Sequence, residues 1–223
     1  MFKRKLTIGD IFLILVNLVP LYGVWFGGWD AGRVFLVYCL ETVIIGVINV
    51  LKMATVTLFV KRRELWNNNG IQSSQSGWFF ILFFIMHYGF FVFVQTQLFF
   101  AVSGIGENAS IFGKYKAIPQ LLGNEGKLLL LIFIAYYTLQ TAFSFFQSGE
   151  YKSISLTRLM FQPYMRIVVQ QLVVILGSIF LGFGAGKIFI LVMVMVKIFF
   201  ELYINFDRIL NSAERMNRKK DGI

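Results

Sequence analysis

Three ionisable residues, Glu41, His87 and Lys197, stand inside long apolar runs, and they are where this sequence has chemistry to offer. A charge at the centre of a bilayer costs roughly 2.5–3.5 kcal/mol on insertion scales, about what six to ten Leu, Ile, Val or Phe residues return. Groups that costly face a partner or a water-filled space. Glu41 lies in the stretch Cys39–Met53, where helical spacing puts positions 41, 45, 48/49 and 52 on one stripe. Glu41, Asn49 and Lys52 therefore share a face. A carboxylate and an amine at one depth make an ion pair, and a neutral imidazole beside them makes a proton relay.

Other chemistry finds little support. The chain has no Gly-x-Ser-x-Gly, His-Glu-x-x-His or Walker sequence, and Ser144 and Ser178 have no nucleophile-elbow context. A single His argues against a zinc site built from several imidazoles. No catalytic residue, metal ligand or cofactor is assigned. Cys39 is the sole cysteine, so no intrachain disulfide forms.

The elements that must position these groups are membrane helices. Of 223 residues, 57% are hydrophobic and 14% charged, with 26 Phe and a mean hydropathy of +0.72, well outside the range of soluble domains. The apolar runs are too long and too continuous for barrel strands. The reading is an all-α membrane protein with six transmembrane helices: 8–26, 32–60, 77–102, 127–147, 166–183 and 186–210. They form one domain, 1–210, followed by a basic cytoplasmic tail, 211–223. Asn17 and Pro20 interrupt the first run and no small-x-small cleavage site follows it, so it reads as a retained span.

The formal charge of +10 is distributed as topology, not as a nucleic-acid footprint. One side collects 14 Lys and Arg, from Lys3, Arg4 and Lys5 through Lys61, Arg62 and Arg63 to Lys219 and Lys220; the other collects 5. By the positive-inside rule both termini are cytoplasmic, and the expected location is a bacterial inner membrane. Between the fourth and fifth spans, Ser153 or Ser155 caps a short amphipathic helix ending before Pro163. The expectation is an interfacial helix with Leu156, Leu159, Met160 and Phe161 toward lipid and Lys152, Arg158 and Arg166 toward headgroup phosphates. The cytoplasmic loop between the second and third spans is polar, with Asn-Asn-Asn-Gly as its turn.

Counted from the span ends, Glu41, His87 and Lys197 fall at similar depth, and the three are expected to meet. Glu201, Asn205 and Arg208 extend the Lys197 stripe toward the cytoplasm. Tyr136/Tyr137, Gln140, Ser144 and Gln147 make a stripe on the fourth span, and Gln95, Gln170 and Gln171 add amides on the third and fifth. The expected buried polar cluster is Glu41, Asn49, His87, Gln95, Gln171, Lys197, Glu201 and Asn205.

Five segments, NLVPLYGVWFGGWD, LETVIIGVINVLKM, FFIMHYGFF, PYMRIVVQQLVVILG and VKIFFELYIN, together resemble a family of bacterial multi-pass inner-membrane proteins known as a domain of unknown function. The resemblance covers spans one to three, five and six. It implies shared residues at Glu41, Asn49, Lys52, Met53, His87 to Gly89, Arg166 and Lys197. It also implies histidines where this chain has Gln95, Gln171 and Asn205, and Asp where it has Glu201. A metal or haem held by such histidines would lose most of its ligands here, whereas Gln and Asn still hydrogen-bond.

The functional expectation is a transporter- or channel-like protein for a small polar solute, ion or proton. The alternatives are a membrane scaffold or complex subunit, in which polar groups fix helix register, and a membrane-embedded enzyme using His87 and Glu41 on a lipid-like substrate. The partners expected are membrane lipids and a homo-oligomer or membrane complex.

Overall fold

The computed structural model describes residues 8–68, 71–103, 110–164, 167–169, 171, 173, 180 and 183–203. Within them the chain is helical apart from one hairpin. Helix α1 is Ile8–Trp25, α2 is Ala31–Phe59 and α3 is Gly77–Ser103. The shorter α4, Ile111–Leu121, precedes α5, Gly123–Thr141, and the last described helices are α6, Leu156–Phe161, and α7, Gly186–Tyr203. Among the described residues three helices, Ala31–Phe59, Gly77–Ala101 and Gly123–Gln147, are long and apolar enough to cross a membrane.

The 29-residue α2 is the internal helix. Asp30 starts it by accepting from Arg33 N at 2.8 Å, which satisfies one of the donors a helix N-terminus leaves open. It packs against α1, α3, α5, α6 and α7. Of its apolar window 56% is buried, against 28% for α3 and 22% for α5, so the outward apolar surface is carried by its neighbours. Leu82, Met86 and Leu131 are examples, all exposed.

A missing side chain sets the α2–α3 contact. The Tyr88 ring lies where a Cβ on Gly46 would be, 2.6 Å from its Cε1, and its hydroxyl donates to the Thr42 carbonyl at 2.9 Å. Nearer the hairpin, a Cβ on Gly77 would come within 2.3 Å of Thr57 Oγ1. These two glycines bring the backbones together. Between the helices, β1 (Arg63–Asn68) and β2 (Ile71–Ser76) pair antiparallel, Arg63 opposite Ser76 and Asn68 opposite Ile71. The sequence shows the Asn-Gly turn signal but little apolar alternation around it, so the strands were not legible there.

The α5 helix runs into a π-helical turn, Ala142–Gln147. In an unbroken α-helix Ser144 would follow Phe133 and Tyr137 on the buried face. The wider turn inserts one residue and delivers Phe145 there instead, fully buried and under Lys52 Nζ at 5.3 Å. Ser144 and Gln147 consequently face outward, Gln140 is exposed already on α5, and of the expected polar stripe only Tyr137 is buried.

The apolar face expected to meet lipid packs on protein instead. Leu156, Leu159 and Met160 of α6 are fully buried, packed against α2 and α3, and Phe161 alone of the four is exposed. Two polar contacts explain why burial wins. Glu64, from β1, accepts from Leu156 N at 2.7 Å and Thr157 N at 3.4 Å, capping α6 with a charge that Lys61 balances at 2.9 Å. At the other end Pro163 has no N–H to give the Leu159 carbonyl four residues earlier, and Asn49 Nδ2 donates to that carbonyl at 2.9 Å. Asn49 therefore repairs the backbone bond that Pro163 removes. The chain stays helical at 164, 167–169, 171 and 173, and Ile167 N bonds Pro163 O at 3.1 Å. In place of an interfacial linker, α6 is the first part of a proline-broken helix set between α2 and α3. Lys152 is exposed over the Tyr151 ring, Arg158 is half-buried, and Arg166 lies outside the described residues, as do 204–223.

Replacing Asn49 with Leu strands the Leu159 carbonyl and is expected to cost about 1–3 kcal/mol of unfolding free energy in detergent. Pro163→Ala, which restores an N–H, recovers part of that loss in the Asn49→Leu background; no recovery would show that the two residues do not share this carbonyl. Gly46→Val displaces Tyr88 and is expected to lower stability by about 1–3 kcal/mol. Gly89→Ala, next to open space, changes it little when both are followed by thermal unfolding.

Candidate functional site

A buried ionic cluster ties α2, α5 and α7 together. Glu41 is 1% exposed and accepts at both carboxylate oxygens from Lys197 Nζ; Tyr137 Oη donates to Oε1 as well. The Lys197 ammonium also lies over two aromatic faces, 4.9 Å from the Tyr38 centroid and 5.0 Å from that of Phe133. The two rings pack on each other at 5.4 Å. One carboxylate thus compensates the amine, and two ring faces supply the rest of its negative environment. The arrangement needs three helices at once: α2 presents Tyr38 and Glu41 on consecutive turns, α5 presents Phe133 and Tyr137 at i, i+4, and α7 brings Lys197.

Burial falls off unevenly across this cluster. The Lys197 side chain keeps 14% exposure while Glu41 keeps 1%. The amine is the less buried member of the pair. On an isolated pair, removing one partner leaves an uncompensated buried charge and costs about 3–5 kcal/mol.

His87 is not part of this cluster. It faces outward on α3 and pairs through Nδ1 with Tyr164 Oη at 2.7 Å. The depth count that joined it to Glu41 took the helices as just spanning the hydrocarbon. With 29 and 27 residues, α2 and α3 are roughly 40 Å long. Ten residues in from opposite ends of such helices are then different levels, roughly 10 Å apart. Asn49, eight residues from Glu41, is likewise separate and serves the Leu159 carbonyl.

The amides divide in the same way. Gln171 Nε2 donates to the Phe91 carbonyl at 3.1 Å, one turn before Gln95 on α3. Gln95 is fully buried with its amide against the Cys39 thiol, and neither end of that amide has a nitrogen or oxygen partner among the described residues. The backbone of Glu201 belongs to α7, but its side chain and all of Asn205 lie outside the described residues. Among the described residues no three His, Cys, Asp or Glu side chains gather as a metal site. Gln95 and Gln171 are amides, so at neither of these two positions does the chain carry the imidazole that a site held by several histidines would need.

Sequence reasoning named Glu41 and Lys197 from the cost of charge in apolar helices but missed their aromatic partners. Tyr137 was one of several polar residues on its span, and it is the π-turn that separates it from Ser144. Tyr38 and Phe133 looked like ordinary core. Tyr164 carried no signal, because its segment read as a surface linker.

No curated protein and no solved structure matches the chain. Its residues 1–221 match a family described as "Family of unknown function (DUF6498)". With nearly its whole length in that match, the chain belongs to this family.

Proposed function

We propose that this chain is a multi-pass membrane protein that moves a proton or small cation across the bilayer by making and breaking the Glu41–Lys197 pair. The observation that carries the reading is the cluster itself, an ionic pair from helices distant in sequence, buried in an apolar bundle. Intramembrane ionisable residues mark ion and proton pathways more often than they serve packing alone. A hydrophobic pair of equal volume would hold the same helices together at no desolvation cost.

In this reading Glu41 takes a proton or cation, its charge is neutralised, and Lys197 is released toward its more exposed side. Tyr137 keeps a donor on the carboxylate throughout, and Tyr38 and Phe133 hold the ammonium while it is near. The proline-broken helix beside α2 supports a moving bundle, since transporters commonly build their sites around discontinuous helices. The topology in this proposal is six spans with both termini on the cytoplasmic side of a bacterial inner membrane, supported by the lysine and arginine bias.

One observation favours a second reading. Glu41 is fully satisfied by Lys197 and Tyr137, and rings close around them, which is also what a register lock in a membrane scaffold or complex subunit looks like.

The readings part in proteoliposomes carrying an entrapped dye for H⁺, Na⁺ or K⁺ in turn. Glu41→Gln and Lys197→Met each lower unfolding free energy by about 3–5 kcal/mol, and the double variant regains most of that loss because no lone charge remains. Under the transport reading the folded double variant loses protein-dependent proton, Na⁺ or K⁺ flux. A wild-type protein that moves none of the three, or a double variant that moves them equally well, contradicts it in favour of the scaffold.

A further inference from the structure

His87 is a polar group on the lipid-facing side of the bundle. It lies ten residues into α3, roughly 15 Å from the hairpin end and so inside the hydrocarbon layer of the proposed bilayer. Its ring is stacked on Phe83 at 5.4 Å and 14°, meets Phe91 edge-on at 5.2 Å, and lies 5.2 Å from Tyr164. Tyr164 adds a contact to Phe161 at 6.0 Å. This is an aromatic frame around one imidazole, with Phe83 and Phe161 themselves exposed.

The hydrogen-bond count is incomplete. Nδ1 is bonded to Tyr164 Oη, and Nε2 has no partner among the described residues. With Tyr164 donating to Nδ1, the ring proton sits on Nε2 and points away from the protein. With the bond reversed, the spare donor is the phenol beside it. Either way one polar donor of the pair faces acyl chains, where an unmade hydrogen bond is costly and no water replaces it. Phospholipid headgroups stay at the boundary and do not reach this depth.

We propose that His87 and Tyr164 form a binding site, open to the lipid phase, for an isoprenoid quinone. The chemistry selects the ligand class. A quinone carries its carbonyl acceptors within the hydrocarbon, matching a donor that no described residue meets. Its planar ring suits the Phe83, Phe91 and Phe161 frame, and its tail stays in lipid alongside Met86 and Phe90, both exposed on the same helix. The site is separate from the Glu41–Lys197 cluster and holds whether or not that cluster transports.

The test is binding of decylubiquinone to the full chain in phosphatidylcholine nanodiscs, measured as uptake above that of empty discs. The expected result is saturable binding, weakened about tenfold by His87→Phe, which keeps a ring and removes both nitrogens. Tyr164→Phe weakens it a few fold, His87→Gln, which keeps a donor, retains most of it, and Leu131→Ala on the lipid face of α5 leaves it unchanged. Uptake that never saturates, or that is equal in wild type and in a His87→Phe variant with wild-type melting, overturns the site. So does a dimer that His87→Phe dissociates without any saturable quinone uptake, since that face would then be covered by a second copy.

Discussion

An apolar medium does not hydrogen-bond, and the polar contacts of this bundle follow from that constraint. Inside lipid a charge or an orphaned backbone group has to be met by another helix or it destabilises the fold by several kcal/mol. The Glu41–Lys197 contact is the most demanding case. It fixes α7 against α2, fixes the rotation of α5 through Tyr137, and puts Tyr38 and Phe133 around the ammonium. Because α2 also meets α1, α3 and α6, the helix that carries Glu41 is the one most of the others pack on.

The same constraint explains the broken helix. A proline inside a membrane helix leaves a carbonyl without its donor, and the usual remedy is a side chain from a neighbour. Here the neighbour is Asn49, whose place on the Glu41 stripe of α2 aims it at Leu159. Glu64 does the equivalent work at the start of α6, where open N–H groups would otherwise be buried under the hairpin. An acid, an amide and a proline that are unrelated in sequence act on one six-residue helix.

How much of this was legible in the sequence varies with the physics that encodes it. Apolar length announces α2, α3 and α5, and the cost of charge singles out Glu41 and Lys197. Asn49 was visible as a polar residue on the right face, but its partner was not, because that requires knowing that the segment after Ser155 enters the bundle. Its composition misled: Leu156, Leu159, Met160 and Phe161 with Lys152 and Arg158 read equally well as a helix lying on lipid or as one packed on protein. Periodicity reports that a face is apolar and not what covers it. His87 was misplaced for a simpler reason, namely that helices longer than the hydrocarbon is thick put equal residue counts at unequal depths. The π-turn that selects Tyr137 over Ser144 leaves no mark in composition at all.

The claim on which this account depends is that a lysine of the last described helix is bonded to the glutamate of the second within the bilayer. Dipolar recoupling between ¹³C-labelled Glu carboxyl carbons and ¹⁵N-labelled Lys amines, in protein reconstituted into lipid, reads that contact directly. The account predicts a Lys–Glu coupling at ion-pair distance, below about 4 Å, that disappears in both Glu41→Gln and Lys197→Met while the Lys61–Glu64 coupling persists. Spectra of the two variants that keep every Lys–Glu coupling of the wild type would contradict it.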